Sequence, residues 1–132
     1  MRSVQWLVSM VAVATSSLAI AEQSVDVPFE FPARPPVHVS VTLSEVTQLT
    51  GDKLPYKVEY WVLGALAKAE FKYAMELVDG RRTVTAIDDV RNDSTGTWVY
   101  FVDGVRSKYH INTQTAPTVR SIRFVFEKAR DR

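Results

Sequence analysis

Gly96-Thr97-Trp98-Val99-Tyr100-Phe101-Val102-Asp103-Gly104 is the stretch on which the fold turns. Every residue from Thr97 to Val102 is β-branched or aromatic, the types that suit a pleated surface. Asp103-Gly104 ends the run with a hairpin-type turn signal. Side chains alternate across a strand, so Trp98 and Tyr100 share one face and Val99 and Phe101 the other. Both faces are bulky, which predicts a central strand covered on both sides. The same ladder also reads as a part-exposed aromatic platform, since Trp and Tyr join a large apolar body to a polar handle.

Upstream, Val37, Val39, Val41 and Leu43 alternate with polar residues, predicting a strand with one buried face. Thr47 to Pro55 contains Gly51-Asp52 and reads as a turn or loop. Tyr56, Val58 and Tyr60 alternate with Lys57 and Glu59, the pattern of a second strand. The period then changes. Val62, Leu63, Leu66, Ala67 and Ala69 fall near helical spacing among good helix formers, so a short helix is expected over 62–70. Phe71, Tyr73, Met75 and Leu77 alternate again up to the Asp79-Gly80 turn, and 83–87 continues in β-rich residues. Asp88 to Gly96 reads as a polar loop. Downstream, 109–112 is a candidate short strand and 122–127 a terminal one.

The order predicts an α+β, β-grasp-like two-layer fold: one short helix packed on a mixed sheet of four to five strands. In 132 residues there is room for one domain. With 46% hydrophobic and 23% charged residues the chain is globular in composition. Its 16 Lys and Arg against 15 Asp and Glu leave a net charge of +1. Nucleic-acid binders and binders of anionic membranes need a surplus of basic groups, so neither partner is expected.

Met1-Arg2 precedes an apolar run from Val4 to Ala21, which closes on Ala19-Ile20-Ala21 before polar Glu22. That is the pattern of a cleaved signal peptide spanning 1–21. Gln5, Ser9, Thr15, Ser16 and Ser17 interrupt the run, which suits a membrane-spanning helix poorly. No cysteine follows, so lipid anchoring through a new N-terminal Cys is excluded. The mature protein is expected in the periplasm or secreted, with no membrane association after cleavage. Arg2 is the sole charged residue before Glu22, so a chain starting there carries 15 charges of each sign. Residues 22–36 hold Pro28, Pro32, Pro35 and Pro36 and are expected to form an extended leader, with the domain occupying 37–132.

The chain has no cysteine, which excludes thiol nucleophiles, thiolate metal sites and stabilising disulfides. His38 and His110 lack a second histidine at ligand spacing and read as solvated side chains. Asp88, Asp89 and Asp93 offer carboxylates in a loop that is expected to face water. No serine lies in a nucleophile elbow, and the five glycines form no phosphate-cradling loop. An enzyme is not expected, and neither a cofactor nor a metal is assigned. Asn92-Asp93-Ser94 matches the glycan acceptor pattern in form alone.

Three blocks carry a resemblance. They are Val62-Leu63-Gly64-Ala65-Leu66, then Thr83-Val84-Thr85-Ala86-Ile87-Asp88-Asp89-Val90, then Gly96 to Gly104. In this order and at this spacing they resemble the transcobalamin-like C-terminal domain family over roughly residues 37–128. Asp103 stands where that family usually has Asn, Asp89 where it often has Gly, and Ala116-Pro117-Thr118 where a Gly-Asp turn is common. The resemblance implies a β-grasp fold. It also implies a non-enzymatic binding role, since in the vitamin carriers this domain covers one face of cobalamin.

The expected function is therefore that of an exported binding module for a small molecule, with a corrinoid possible as ligand only. Its contacts are expected from Trp98, Tyr100, Asp103 and Gly104. The alternative is a protein-interaction or structural domain that adds a strand to a partner's sheet.

Overall fold

The protein is seen in a computed structural model that describes residues 22–51 and 57–129. The segment 1–21, expected to be a signal peptide, lies outside the described residues. Among the described residues ten elements follow in order: β1 (Ser24–Glu30), β2 (Val37–Thr42), α1 (Leu43–Thr50), α2 (Val58–Lys68), β3 (Tyr73–Val78), β4 (Arg81–Ile87), β5 (Val90–Arg91), β6 (Gly96–Val102), β7 (Val105–Arg106) and β8 (Ile122–Lys128). The main sheet is mixed and five-stranded, in the order β2-β1-β8-β6-β7, and β3-β4-β5 form a second, antiparallel sheet. The fold is α+β, as expected. The first and last long strands lie parallel at the centre, each flanked by an antiparallel neighbour, which is the β-grasp arrangement.

The extended leader expected over residues 22–36 is corrected: Ser24–Glu30 is a central strand. Val25, Val27 and Phe29 are fully buried, whereas Ser24 and Asp26 are exposed, the alternation of a half-covered strand. Pro28 is tolerated through a gap in one ladder. Asp26 N donates to Arg120 O at 2.9 Å, and parallel pairing resumes at Phe29 opposite Phe124. The next donor of that ladder falls on Pro28, which has none.

A second correction concerns the helices. Thr42-Leu43-Ser44-Glu45 forms a capping box, in which the Thr42 hydroxyl accepts from Glu45 N and the Glu45 carboxylate accepts from Thr42 N. The loop expected from Thr47 is therefore α1 as far as Thr50. The strand expected over 56–60 is, from Val58 on, the first turn of α2; Tyr56 lies outside the described residues. Val58, Trp61, Val62, Ala65 and Leu66 are all buried, and their 3-4 spacing outweighs the short alternation. Gly64 allows a close approach here, because a Cβ would sit 3.0 Å from Val41 Cγ1.

β6 is not covered on both sides. Trp98 and Tyr100 join Phe124, Phe126, Phe29 and Val41 on the buried face, while Val99 and Phe101 are half-exposed opposite them. Arg123 places its guanidinium 4.6 Å from the Phe101 ring centre, and its Nε bonds Glu30 at 2.9 Å. This outer face is thus roofed by long charged side chains. The short strand expected over 109–112 is turn structure. Asn112 there accepts from Arg82 N at 2.8 Å and donates to Gly80 O at 2.7 Å, pinning the β3–β4 hairpin.

Candidate functional site

Helix α2 covers the buried face of the main sheet at β1 and β2, and β4 approaches it at β6. Between β4, β6 and the segment after β7 the two layers leave a cleft of about 180 Å³. Val84, Trp98, Tyr100, Ile111 and Phe124 form its apolar interior, and Arg82, Arg106 and His110 stand in its wall.

Trp98 is fixed by one hydrogen bond and two aromatic contacts. Its indole Nε1 donates to Val90 O at 2.9 Å, and its ring meets Phe31 and Phe126 edge-on at 5.3 and 5.5 Å. Only 6% of Trp98 and 9% of Tyr100 is exposed, so the ladder is core and not an open platform. Tyr100 stacks on Phe124 at 5.5 Å and turns its hydroxyl to Tyr109 O at 2.7 Å, beside Gln114 Oε1 at 3.1 Å. Burial pushes the Tyr100 phenol above its ordinary range, against the opposing pull of the Ser107 hydrogen bond. At neutral pH the phenol is therefore a neutral donor.

The cations of the wall are compensated. Arg82 pairs with Glu59 at 3.0 Å, and Arg106 pairs with Glu127. The Glu59 side chain, on α2, is 9% exposed and meets Arg82 from behind the cleft's lining. His110 Nδ1 lies 3.0 Å from Thr83 Oγ1, a contact that holds its ring beside the mouth. Tyr109 is 64% exposed at the same rim. The arrangement suits an apolar group with polar substituents at its margin.

Of the four site residues expected from sequence, the structure brings Trp98 and Tyr100 together in the cleft and leaves Asp103 and Gly104 outside its lining. Asp103 instead holds the chain end of β6: its carboxylate accepts from Arg120 N and Ser121 N, each at 2.9 Å. Its φ of 48° and that of Gly104, 84°, make the tight turn into β7. Asp88 and Asp89 are bridged by Arg34 at 3.0 and 3.4 Å, with Arg34 stacked 3.7 Å above Phe31. Among the described residues, no group of three or more His, Asp or Glu side chains is placed to hold a metal ion.

Sequence reading missed Arg82, Arg106, Ser107 and Ile111. A lone Glu59 inside an apolar run at helical spacing was the one available signal, because a buried carboxylate needs a cation supplied from elsewhere.

The chain is similar to part of haptocorrin. A crystal structure of haptocorrin in complex with Cbi superposes with a TM-score of 0.55 at 10% sequence identity, covering 83% of this chain and 27% of that one. The likeness is one of fold, and this chain spans about 27% of the length of haptocorrin. No family model matches the sequence, and no curated protein matches it. Among the described residues, no helix is long and apolar enough to cross a membrane.

Proposed function

We propose that this chain is an exported, non-enzymatic binding module whose small-molecule ligand docks at the cleft floored by Trp98 and Tyr100, and that the ligand is a corrinoid. The observation that carries the reading is the cleft itself: an apolar interior beside ion-paired arginines and a hydrogen-bonding phenol, on a fold shared with a protein solved in complex with Cbi. At about 180 Å³ the cleft is smaller than the roughly 300–1,000 Å³ that usually engulfs a ligand. It therefore receives one substituent of the ligand, while the macrocycle lies across the mouth against Tyr109. Contact on one side only implies an affinity of about micromolar order.

Cleavage after Ala21 would leave β1 intact. Glu22, the residue after the expected cleavage point, already belongs to the domain, since its carboxylate accepts from Ser44 N and Ser44 Oγ at the start of α1. Intact mass of the exported protein should show a chain that begins at Glu22. A full-length species held in the membrane would overturn this part.

The binding test is a titration with cobinamide and with cobalamin, followed by tryptophan fluorescence and independently by calorimetry. After cleavage only Trp61 and Trp98 remain, and Trp61 is 1% exposed. A ligand at the cleft should change the emission of Trp98 and give saturable heat. Absence of both with either corrinoid would discard the reading.

A further inference from the structure

Among the described residues, the second sheet ends on a strand that no other element covers: β3 pairs with β4 alone. Tyr73, Leu77 and Val78 on it are 48%, 60% and 54% exposed. The other long edge, β2, is guarded: Lys68 donates to Ser40 O at 2.7 Å and pairs with Glu45 at 3.0 Å beside it. The remaining edge of the main sheet, β7, is two residues long. Natural sheets blunt their edges by such means. β3 is six residues long and has no proline, and the bulge opposite Ala74 and Met75 lies on β4 at Thr85, leaving β3 itself regular.

We propose that β3 is a self-association edge that pairs antiparallel with β3 of a second copy of this chain, joining two three-stranded sheets into one of six. A two-fold axis perpendicular to the sheet preserves its faces, so each residue must oppose a residue of like parity. Centring the pair on Met75 places Tyr73 opposite Leu77 of the second copy, Met75 opposite Met75, and Leu77 opposite Tyr73. The exposed apolar side chains of one face thereby become a continuous cross-strand ladder. On the other face Ala74 opposes Glu76, and Lys72 stands diagonal to the second copy's Glu76, within reach of opposite charges. Centring on Glu76 would instead set that carboxylate against itself, which like charges disfavour. Lys72 and Glu76 are four residues apart on one extended strand, too far to pair within a single copy. From Glu22 on, the 15 basic and 15 acidic residues cancel, which leaves no long-range repulsion between copies. One ladder of six residues is a small contact, so the association is weak and concentration-dependent.

Sedimentation of the purified protein over a concentration series tests this. The weight-average mass should rise toward twice the monomer value. Leu77→Lys should hold it at the monomer value with unchanged far-UV circular dichroism. Glu76→Lys should weaken association, and the charge-swapped Lys72→Glu/Glu76→Lys variant should restore it, which a mere folding defect would not do. A monomer at every concentration, or association that persists unchanged in Leu77→Lys, would overturn the proposal. Binding of a foreign strand-forming peptide at β3 without self-association would overturn it equally.

Discussion

Phe29 and Phe124 face each other in the central parallel pair of the main sheet, their ring centres 5.7 Å apart and their planes inclined by 21°. Tyr100, opposite Phe124 on the other side, continues the stack at 5.5 Å. Three strands that are remote in sequence are thus clamped by one aromatic column, and the last ring of that column is in the wall of the cleft.

Phe29→Ala should therefore remove a fully buried ring at the join between the first and last strands. A loss of about 3–5 kcal/mol is expected for such a truncation. Urea denaturation should show it as a lowered midpoint at similar slope. A shift near zero would mean that β1 contributes little to the core.

Gly96→Ala should be destabilising although glycine is usually costly in a strand. An added Cβ would stand 2.5 Å from Phe126 Cε2 and 2.6 Å from the Glu127 carbonyl oxygen. The ring can move, but the β6–β8 ladder holds the carbonyl. About 1–3 kcal/mol is expected from such overpacking, measured by thermal unfolding.

Arg82→Gln should strand the Glu59 carboxylate in a nearly closed site. Because Arg82 is itself 44% exposed, solvent screens the pair, and about 1–2 kcal/mol is expected rather than the full cost of breaking a buried bridge. In a double-mutant cycle Glu59→Gln should cancel most of that loss. Additive effects would contradict a direct coupling.

Tyr100→Phe keeps the ring and deletes the hydroxyl that meets Tyr109 O, at a cost of about 1 kcal/mol. Its pH dependence has a definite sign. The folded-state phenol titrates above its unfolded value of about 10, so folding favours the protonated form. That contribution is complete below pH 10 and is lost as the pH rises through the folded value, because the unfolded chain ionises first. The wild type should consequently lose its advantage over Tyr100→Phe above pH 10 in thermal melts. An advantage that grew with alkalinity would contradict the burial of this phenol.

Much was legible where a local rule spoke alone. Asp79-Gly80 and Asp103-Gly104 sit in left-handed turns with φ of 52°, 75°, 48° and 84°, as hairpin signals require. The β-rich run 97–102 is a strand, and Leu66 lies on the buried face of a helix. Where two rules competed, the shorter pattern misled. Alternation at 56–60 hid the 3-4 spacing that begins at Val58, and four prolines hid the alternation of Val25, Val27 and Phe29. The capping box at Thr42 to Glu45 was readable and marks α1.

The sequence by itself determined the element types with strong periodicity, the turns with Asp-Gly, the α+β class and the absence of any thiol chemistry. Those follow from side-chain period and backbone preference, which act over a few residues. Only the tertiary structure decided that Ser24–Glu30 lies between β2 and β8, that Trp98 and Tyr100 are core, and that Glu59 meets Arg82 across the layers. It likewise left the outer edge of β3 unpaired among the described residues and set a cleft between β4 and β6. Each of these depends on which remote surfaces meet, and burial is a property of the whole packed chain that no local pattern encodes.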